Sequence, residues 1–199
     1  EDNYRKKIIL GGASYQLYFN SDLYGYQYQS VRNSLQLNQG PRVNNNDSIG
    51  DPIFSDIGFL SRIAQTDWSW CPLVTDFDND GYRDIVITNG FPKDVTDHDF
   101  VSFRQNSFTV ASKDYTLSQI PTVKIHNYAF RNNGNLTFTD ETNSWGLEAP
   151  SFSNGAAYVD LDNDGDLDMV VNNINDPASI YENNSMNHKE KVPGYLAVK

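Results

Sequence analysis

The stretch Asp76-Phe-Asp-Asn-Asp-Gly-Tyr-Arg-Asp84 recurs 84 residues later as Asp160-Leu-Asp-Asn-Asp-Gly-Asp-Leu-Asp168. An apolar run follows each copy, Ile85–Ile87 in the first and Met169–Val171 in the second. When the comparison is extended to fifteen residues, eight positions are identical. A self-match at a fixed spacing indicates that one folding unit is used more than once along the chain.

The similarity extends upstream of the Asp-rich stretches and reappears in part after them. The corresponding segments are Phe54–Asp56 with Phe138–Asp140, Asn38–Gly40 with Asn132–Gly134, and Ile180–Asn184 with Phe130–Asn133. Asn-Gly and Asp-Gly pairs between apolar runs are typical of hairpin turns, so each unit is predicted to contain four short strands. In the second copy these are Tyr128–Arg131, Leu136–Asp140, Gly155–Val159 and Asp168–Asn172.

Four strands per repeated unit predict an all-β fold, namely a partial β-propeller built of four-stranded blades. A β-sandwich is the alternative, but it does not predict the self-match. The linker Gly90–Val123 is far longer than its counterpart Asn173–Ala178, which indicates an insertion at about 91–124. We expect a helix there, capped by Thr96 or Asp97 and carrying Phe100, Phe103 and Ser107 on one side.

Three regions are expected along the chain. Residues 1–31 form an N-terminal extension with a short helix, Asn3–Leu10, and a Tyr-rich segment that serves in packing. Residues 32–184 hold the repeats, and 185–199 form a linker and the start of a following domain. Since the chain begins at Glu1 without Met, we expect it to be part of a larger polypeptide.

The composition excludes several classes of function. A formal net charge of −11 argues against a nucleic-acid partner, because phosphate contacts need clustered Lys and Arg. Cys71 is the single cysteine, so no internal disulfide is possible, and no apolar run reaches transmembrane length. His98, His126 and His188 lack motif neighbours, and no catalytic constellation stands out. We therefore expect no membrane span and no enzymatic activity in this chain.

Both loops have the pattern D-x-D-x-D-G-x-x-D, which predicts a bound calcium ion in each. Carboxylates at positions one, three and five converge as the chain curls, and Gly at position six permits the positive φ that the curl requires. A backbone carbonyl at position seven and an Asp at position nine complete an all-oxygen shell. The predicted ligands are Asp76, Asp78, Asp80, the Tyr82 carbonyl and Asp84 in loop one, and Asp160, Asp162, Asp164, the Asp166 carbonyl and Asp168 in loop two. Because only its carbonyl is needed, we expect the Asp166 side chain to be dispensable.

Four alternatives for the loops are weaker. Magnesium prefers a small octahedral shell that keeps several waters. An EF-hand needs Glu at position twelve between two helices, whereas Ile87 and Val171 stand there within apolar runs. A plain Asp-Gly turn does not need Asp at four ligand positions twice over. A glycosidase carboxylate pair does not explain the nine-residue spacing with Gly at position six.

The strings Arg131-Asn-Asn-Gly-Asn-Leu-Thr-Phe-Thr-Asp140 and Asn154-Gly-Ala-Ala-Tyr-Val159, with the Asp loop that follows, resemble FG-GAP repeats, also called VCBS repeats. The resemblance covers about 32–184 outside the insertion. It implies blades of an integrin-α-like β-propeller. The quoted strings are also similar to those of large exported bacterial proteins that often carry an ASPIC-type domain after the propeller. Gly194–Lys199 resembles the first strand of such a domain.

The resemblance also implies where the protein works and with what. It implies an extracellular, cell-surface or periplasmic protein with a non-catalytic role in adhesion, ligand binding or scaffolding, and an unknown protein or glycan as partner. The alternative is an accessory domain of a polysaccharide-acting enzyme whose catalytic part lies outside this chain.

Overall fold

The computed structural model describes residues 19–26, 32–43, 49–95, 97–107 and 111–186. The predicted helix Asn3–Leu10 and the predicted strand at Gly194–Lys199 lie outside these ranges. Of the Tyr-rich segment, Tyr24 and Tyr26 are described; they contact each other with ring centroids 5.9 Å apart and are 63% and 66% exposed. Whether the segment serves in packing or as a ligand platform stays a prediction.

Nine strands in the described part of the chain form three antiparallel sheets. The first sheet is the hairpin β1 (Gln36–Val43) and β2 (Ile49–Asp56). The second has the order β3 (Ser69–Thr75), β4 (Asp84–Asn89), β5 (Tyr128–Asn132) and β6 (Phe138–Asp140), and the third has β7 (Ser153–Val159), β8 (Asp168–Asn173) and β9 (Ser179–Tyr181). Helical segments are α1, of which 19–24 are described, α2 (His98–Ser107) and α3 (Lys113–Ser118). The predicted all-β class is confirmed.

Strand β4 is buried along its whole length, which explains its run of β-branched residues. Because side chains alternate between the two faces of a sheet, Val86 packs with Met169 and Val171 of β8. Ile85 and Ile87 point to the other face. There they join Phe130, Phe138 and Ile63, the last from the loop after β2. The four-stranded sheet is thus covered on both faces, as a middle layer would be.

The predicted strands of the second repeat exist, but the prediction that they form one unit is wrong. Strands β5 and β6 join β3 and β4, since Val86 pairs with Ala129, whereas β7 and β8 form a separate sheet with β9. The second sheet therefore combines the Asp-loop hairpin of the first sequence repeat with the hairpin that opens the second, and the third sheet adds the single strand β9 to the Asp-loop hairpin of the second repeat. The self-match fixes the spacing of the units but does not show where one sheet ends.

The long connection between β4 and β5 contains α2 and α3. The main-chain N–H of Phe100 donates to Asp97 Oδ1 at 3.0 Å, so Asp97 caps α2 as one of the two predicted candidates. Phe100 is buried, and Phe103 and Ser107 are partly buried on the same side. A bridge between Phe91 and Val123 closes the base of the connection.

Strand β3 is irregular at Trp70-Cys-Pro72, where the β3–β4 register shifts between Ser69 and Pro72. A similar shift occurs in the β7–β8 pair between Ser153 and Gly155, where the residues are small. The irregularity therefore belongs to this position of the repeat and does not depend on the bulky side chains. Trp70 is held there by its indole N–H, which donates to the Gly90 carbonyl at 2.8 Å.

The hairpins β1–β2 and β5–β6 have the same register. Asn38 pairs with Phe54 as Asn132 pairs with Phe138, and the neighbouring pairs correspond in the same way. Their surroundings differ, because β5 also pairs with β4, while β1 has only β2 beside it among the described strands. Phe138 is consequently 8% exposed and Phe54 54% exposed.

This difference predicts unequal effects of the same substitution. Phe138→Ala should lower the free energy of unfolding by about 3–5 kcal/mol, since it removes a buried ring and leaves a cavity. Phe54→Ala, its matched control, should cost less than about 1 kcal/mol. Urea denaturation followed by tryptophan fluorescence measures both. Equal losses would mean that β1–β2 is covered as completely as β5–β6.

Candidate metal centres

Each Asp-rich loop connects the two strands of a hairpin, β3 to β4 in loop one and β7 to β8 in loop two. Both loops curl through the same backbone conformation. Positive φ angles occur at position four, 54° at Asn79 and 64° at Asn163, and at position six, 96° at Gly81 and 97° at Gly165. Glycine at position six is used as predicted, and asparagine at position four is a residue that tolerates the left-handed region.

The curl gathers three carboxylates in each loop. Oxygen atoms of Asp76, Asp78 and Asp84 lie within 4.8 Å of one another, and Asp160, Asp162 and Asp168 form the equivalent set. Oxygen ligands at about 2.3–2.6 Å from a calcium ion lie at most about 5 Å apart, so each set fits one shared cation. The two acidic clusters could therefore each hold a metal ion.

Position five of each loop lies outside these sets. Asp80 Oδ1 accepts the Tyr82 N–H at 2.8 Å, and Asp164 Oδ1 accepts the Asp166 N–H at 3.1 Å. One oxygen of each carboxylate is thus committed to shaping the turn. That these two side chains and the carbonyls of Tyr82 and Asp166 are ligands stays a prediction.

The aspartate at position nine is buried and holds the loop together. Asp84 Oδ2 accepts the N–H of Phe77 at 2.9 Å, and its Oδ1 accepts the N–H of Asn132 at 2.9 Å. Asp168 repeats this with Leu161 and Asn183, both at 2.8 Å. One bond closes the loop on itself, and the other ties it to the end of the third strand of its sheet.

Asn132 and Asn183 are members of the site that the sequence did not reveal. The side-chain amide of Asn132 donates to the Arg83 carbonyl at 2.9 Å, and that of Asn183 donates to the Leu167 carbonyl at 3.1 Å. Both carbonyls belong to position eight of a loop. The signal was present, since the Asn-Asn string recurs 51 residues apart, but nothing local connects it to the Asp loops.

Comparison with known families bears on the same region. Residues 97–171 match the family model described as the FG-GAP-like repeat. This part of the chain is an FG-GAP-like repeat. The matched range runs from α2 to β8 and includes loop two, so the resemblance seen in the sequence is confirmed there; loop one rests on the internal repeat. No curated protein matches the chain.

A membrane span was not expected. In the ranges that the structure describes, no helix is both long and apolar enough to cross a membrane.

Loop two, which lies in this FG-GAP-like repeat, contains buried carboxylate oxygens that accept no hydrogen bond from the described residues: Oδ1 of Asp160, Oδ2 of Asp164 and Oδ1 of Asp166. Each of these carboxylates accepts a hydrogen bond on its other oxygen, but a buried carboxylate oxygen without a partner is unfavourable, and a cation is a partner that would satisfy it. The donor set is entirely oxygen, which suits a hard cation. The residues present therefore fit a metal ion such as calcium.

Burial and crowding raise the pKa of several loop carboxyls. Asp78 borders an apolar cavity of about 480 Å³ that lies between the second and third sheets and includes Trp145 and Tyr181. Desolvation, followed by the charges of the other loop-one aspartates, raises the pKa of Asp78 to about 6. Desolvation also raises the pKa of Asp84.

The expectation that the Asp166 side chain is dispensable is wrong. Asp166 is fully buried, and its Oδ2 accepts the N–H of Met186 at 3.1 Å and the hydroxyl of Ser185 at 3.4 Å. Desolvation raises the pKa of this carboxyl. At the same position of loop one, Tyr82 packs its ring against Gly134. Position seven therefore anchors the segment that follows the third strand, whatever its carbonyl does.

The raised pKa of Asp78 predicts a pH dependence for the metal-free chain. A carboxyl whose pKa is higher in the folded than in the unfolded state contributes stability that is complete below about pH 4 and is lost as the pH rises through about 6. With chelator present, the gain in free energy of unfolding from about pH 7.5 to about pH 5 should be larger for the unsubstituted chain than for Asp78→Asn. Urea titrations at the two pH values measure this, and identical gains would contradict the assignment.

Proposed function

We propose that this chain is a calcium-stabilised segment of a β-propeller that works as a non-catalytic binding or scaffold module. The observation that carries the calcium assignment is the convergence of three aspartates in each loop, together with buried carboxylate oxygens in loop two that have no partner among the described residues. Calcium is favoured over magnesium because the sets are rich in carboxylate and offer more than two protein ligands per site.

Calcium would act on the fold through the position-nine aspartate. Asp84 is one of the three gathered carboxylates of loop one, and its Oδ1 also accepts the N–H of Asn132 on β5. A cation that neutralises the cluster would remove the repulsion among the carboxylates, so that the hairpin and the strand beside it are held in one geometry. The proposed role of the metal is structural: it stiffens the sheets that present a binding surface.

The proposed location is outside the cytoplasm. Extracellular calcium modules bind with dissociation constants of about 10⁻⁴–10⁻³ M, which suits an environment where calcium is abundant. Repeated sheets with exposed connections are used widely for binding, and an FG-GAP repeat suggests such a domain. The exported, adhesive protein expected from the sequence is consistent with these features.

The calcium assignment predicts a stability change. About 1 mM calcium should raise the free energy of unfolding by about 0.4–1.4 kcal/mol for each loop, if the affinities lie in that range. Thermal denaturation is measured with calcium, with magnesium and with chelator. Asp76→Ala and Asp160→Ala should each remove at least about half of the calcium effect, because each disables one cluster.

The control is Asp51→Asn, which changes an exposed carboxylate on β2 outside both loops and should leave the calcium effect intact. Stabilisation by magnesium equal to that by calcium, or the same calcium effect in the double variant Asp76→Ala/Asp160→Ala, would overturn the assignment.

The two proposed roles differ in what the module binds. If the chain is an accessory domain for a polysaccharide-acting enzyme, a glycan array should show binding with calcium and little with chelator, because the sheets need the metal to hold their shape. Glycan binding that does not depend on calcium would mean that the Asp loops are not needed for glycan recognition. An array without hits would leave the adhesion or scaffold role, with a protein partner, as the better proposal.

A further inference from the structure

We propose that Asn183 positions both Asp loops and couples them, so that the two calcium ions bind with positive cooperativity. This inference rests on the calcium function proposed above and concerns how the two sites communicate. It begins from the segment Asn183–Met186, which follows β9 and contacts both loops.

Asn183 makes three hydrogen bonds that join the loops. Its main-chain N–H donates to Asp168 Oδ1 at 2.8 Å, and its side-chain amide donates to the Leu167 carbonyl at 3.1 Å. The same amide donates to the Phe77 carbonyl of loop one at 2.7 Å. Phe77 lies between the candidate ligands Asp76 and Asp78. One amide group therefore bonds to positions eight and two of two different loops.

A second, longer path runs through Ser185. The Asn79 side-chain amide in loop one donates to Ser185 Oγ at 3.5 Å, and Ser185 Oγ donates to Asp166 Oδ2 of loop two at 3.4 Å. The Met186 N–H adds a bond of 3.1 Å to the same Asp166 oxygen, which fixes the segment against loop two. Both paths cross from the third sheet to the second over the same four residues.

The equivalent residue of the second sheet provides a matched comparison. Asn132 donates its N–H to Asp84 and its side-chain amide to the Arg83 carbonyl, so it repeats both contacts of Asn183 with its own loop. A bond from Asn132 to another Asp loop is not found in the ranges that the structure describes. Asn132 is thus a positioning residue for one loop, whereas Asn183 serves two.

The physical basis of the coupling is shared ordering. Calcium in loop two fixes Asp168 and the Leu167 carbonyl, and these hold Asn183. Asn183 then holds the Phe77 carbonyl, so the backbone between two ligands of loop one is ordered before its own calcium arrives. Less conformational entropy is lost when the second ion binds, so the second ion binds more tightly. Linkage requires the effect to be equal in both directions.

The experiment measures the affinity of loop one with loop two intact and disabled. The 199-residue chain is titrated with calcium alone, and the amide signals of Gly81 and Gly165 report the two loops separately by nuclear magnetic resonance. With Asp160→Ala, which disables loop two, loop one should bind about 5-fold more weakly or worse, the lower end of usual coupling. In an Asn183→Ala background, Asp160→Ala should change the affinity of loop one by less than about 2-fold.

Asn132→Ala is the control, because it should weaken loop one while the effect of Asp160→Ala persists. Asn183→Ala keeps the main-chain N–H that donates to Asp168, so the loss is confined to the side chain, and circular dichroism checks its fold. If Asn183→Ala does not fold, the effect of Asp160→Ala in the otherwise unsubstituted chain decides the coupling. Calcium binding by both loops without any effect of Asp160→Ala on loop one would overturn the coupling alone. No calcium binding at all would overturn the proposed function.

Discussion

A buried aspartate at the base of each Asp loop holds together the loop, the hairpin and the neighbouring strand. Asp84 and Asp168 are buried where a charge is costly, and each is held by two main-chain N–H groups. Hydrogen bonds to a carboxylate favour its charged form, while desolvation opposes it, and for Asp84 desolvation is the larger effect. A cation at the gathered oxygens would reverse that balance.

The same aspartates join local to long-range structure. One N–H comes from within the loop, so the curl is closed by residues seven positions apart. The other comes from the residue at or just after the end of the third strand, Asn132 or Asn183, far along the chain. Loop geometry and sheet assembly are therefore not independent, because a change that opens the loop also releases a strand. Val86, on the strand that follows loop one, packs with Met169 and Val171 on the strand that follows loop two.

Much of this could be predicted from the sequence, because the Asp loops carry their geometry locally. The spacing of Asp residues and the glycine at position six give the curl, and the apolar runs give β4 and β8. The predictions that failed concern contacts between residues far apart in the sequence. The pairing of Val86 with Ala129 decides which strands form a sheet, yet a repeat has the same spacing wherever its boundary is drawn. Burial of the Asp166 side chain depends on Met186, which no local pattern indicates.

Asparagine turns show how the local and long-range parts combine. Asn38, Asn132 and Asn183 each accept, on Oδ1, the N–H of the residue two positions later, at 2.8, 2.9 and 2.9 Å. That bond needs only neighbouring residues, so the turn forms the same way in all three places. Two of the three also reach an Asp loop through the main-chain N–H, and Asn183 alone reaches a second loop within the described residues. A turn that is already shaped loses little further freedom when it meets its aspartate, which makes it an effective clamp. The shape of the turn is thus set by neighbouring residues. The sheets that lie beside the turn decide whether it binds no Asp loop, one or two.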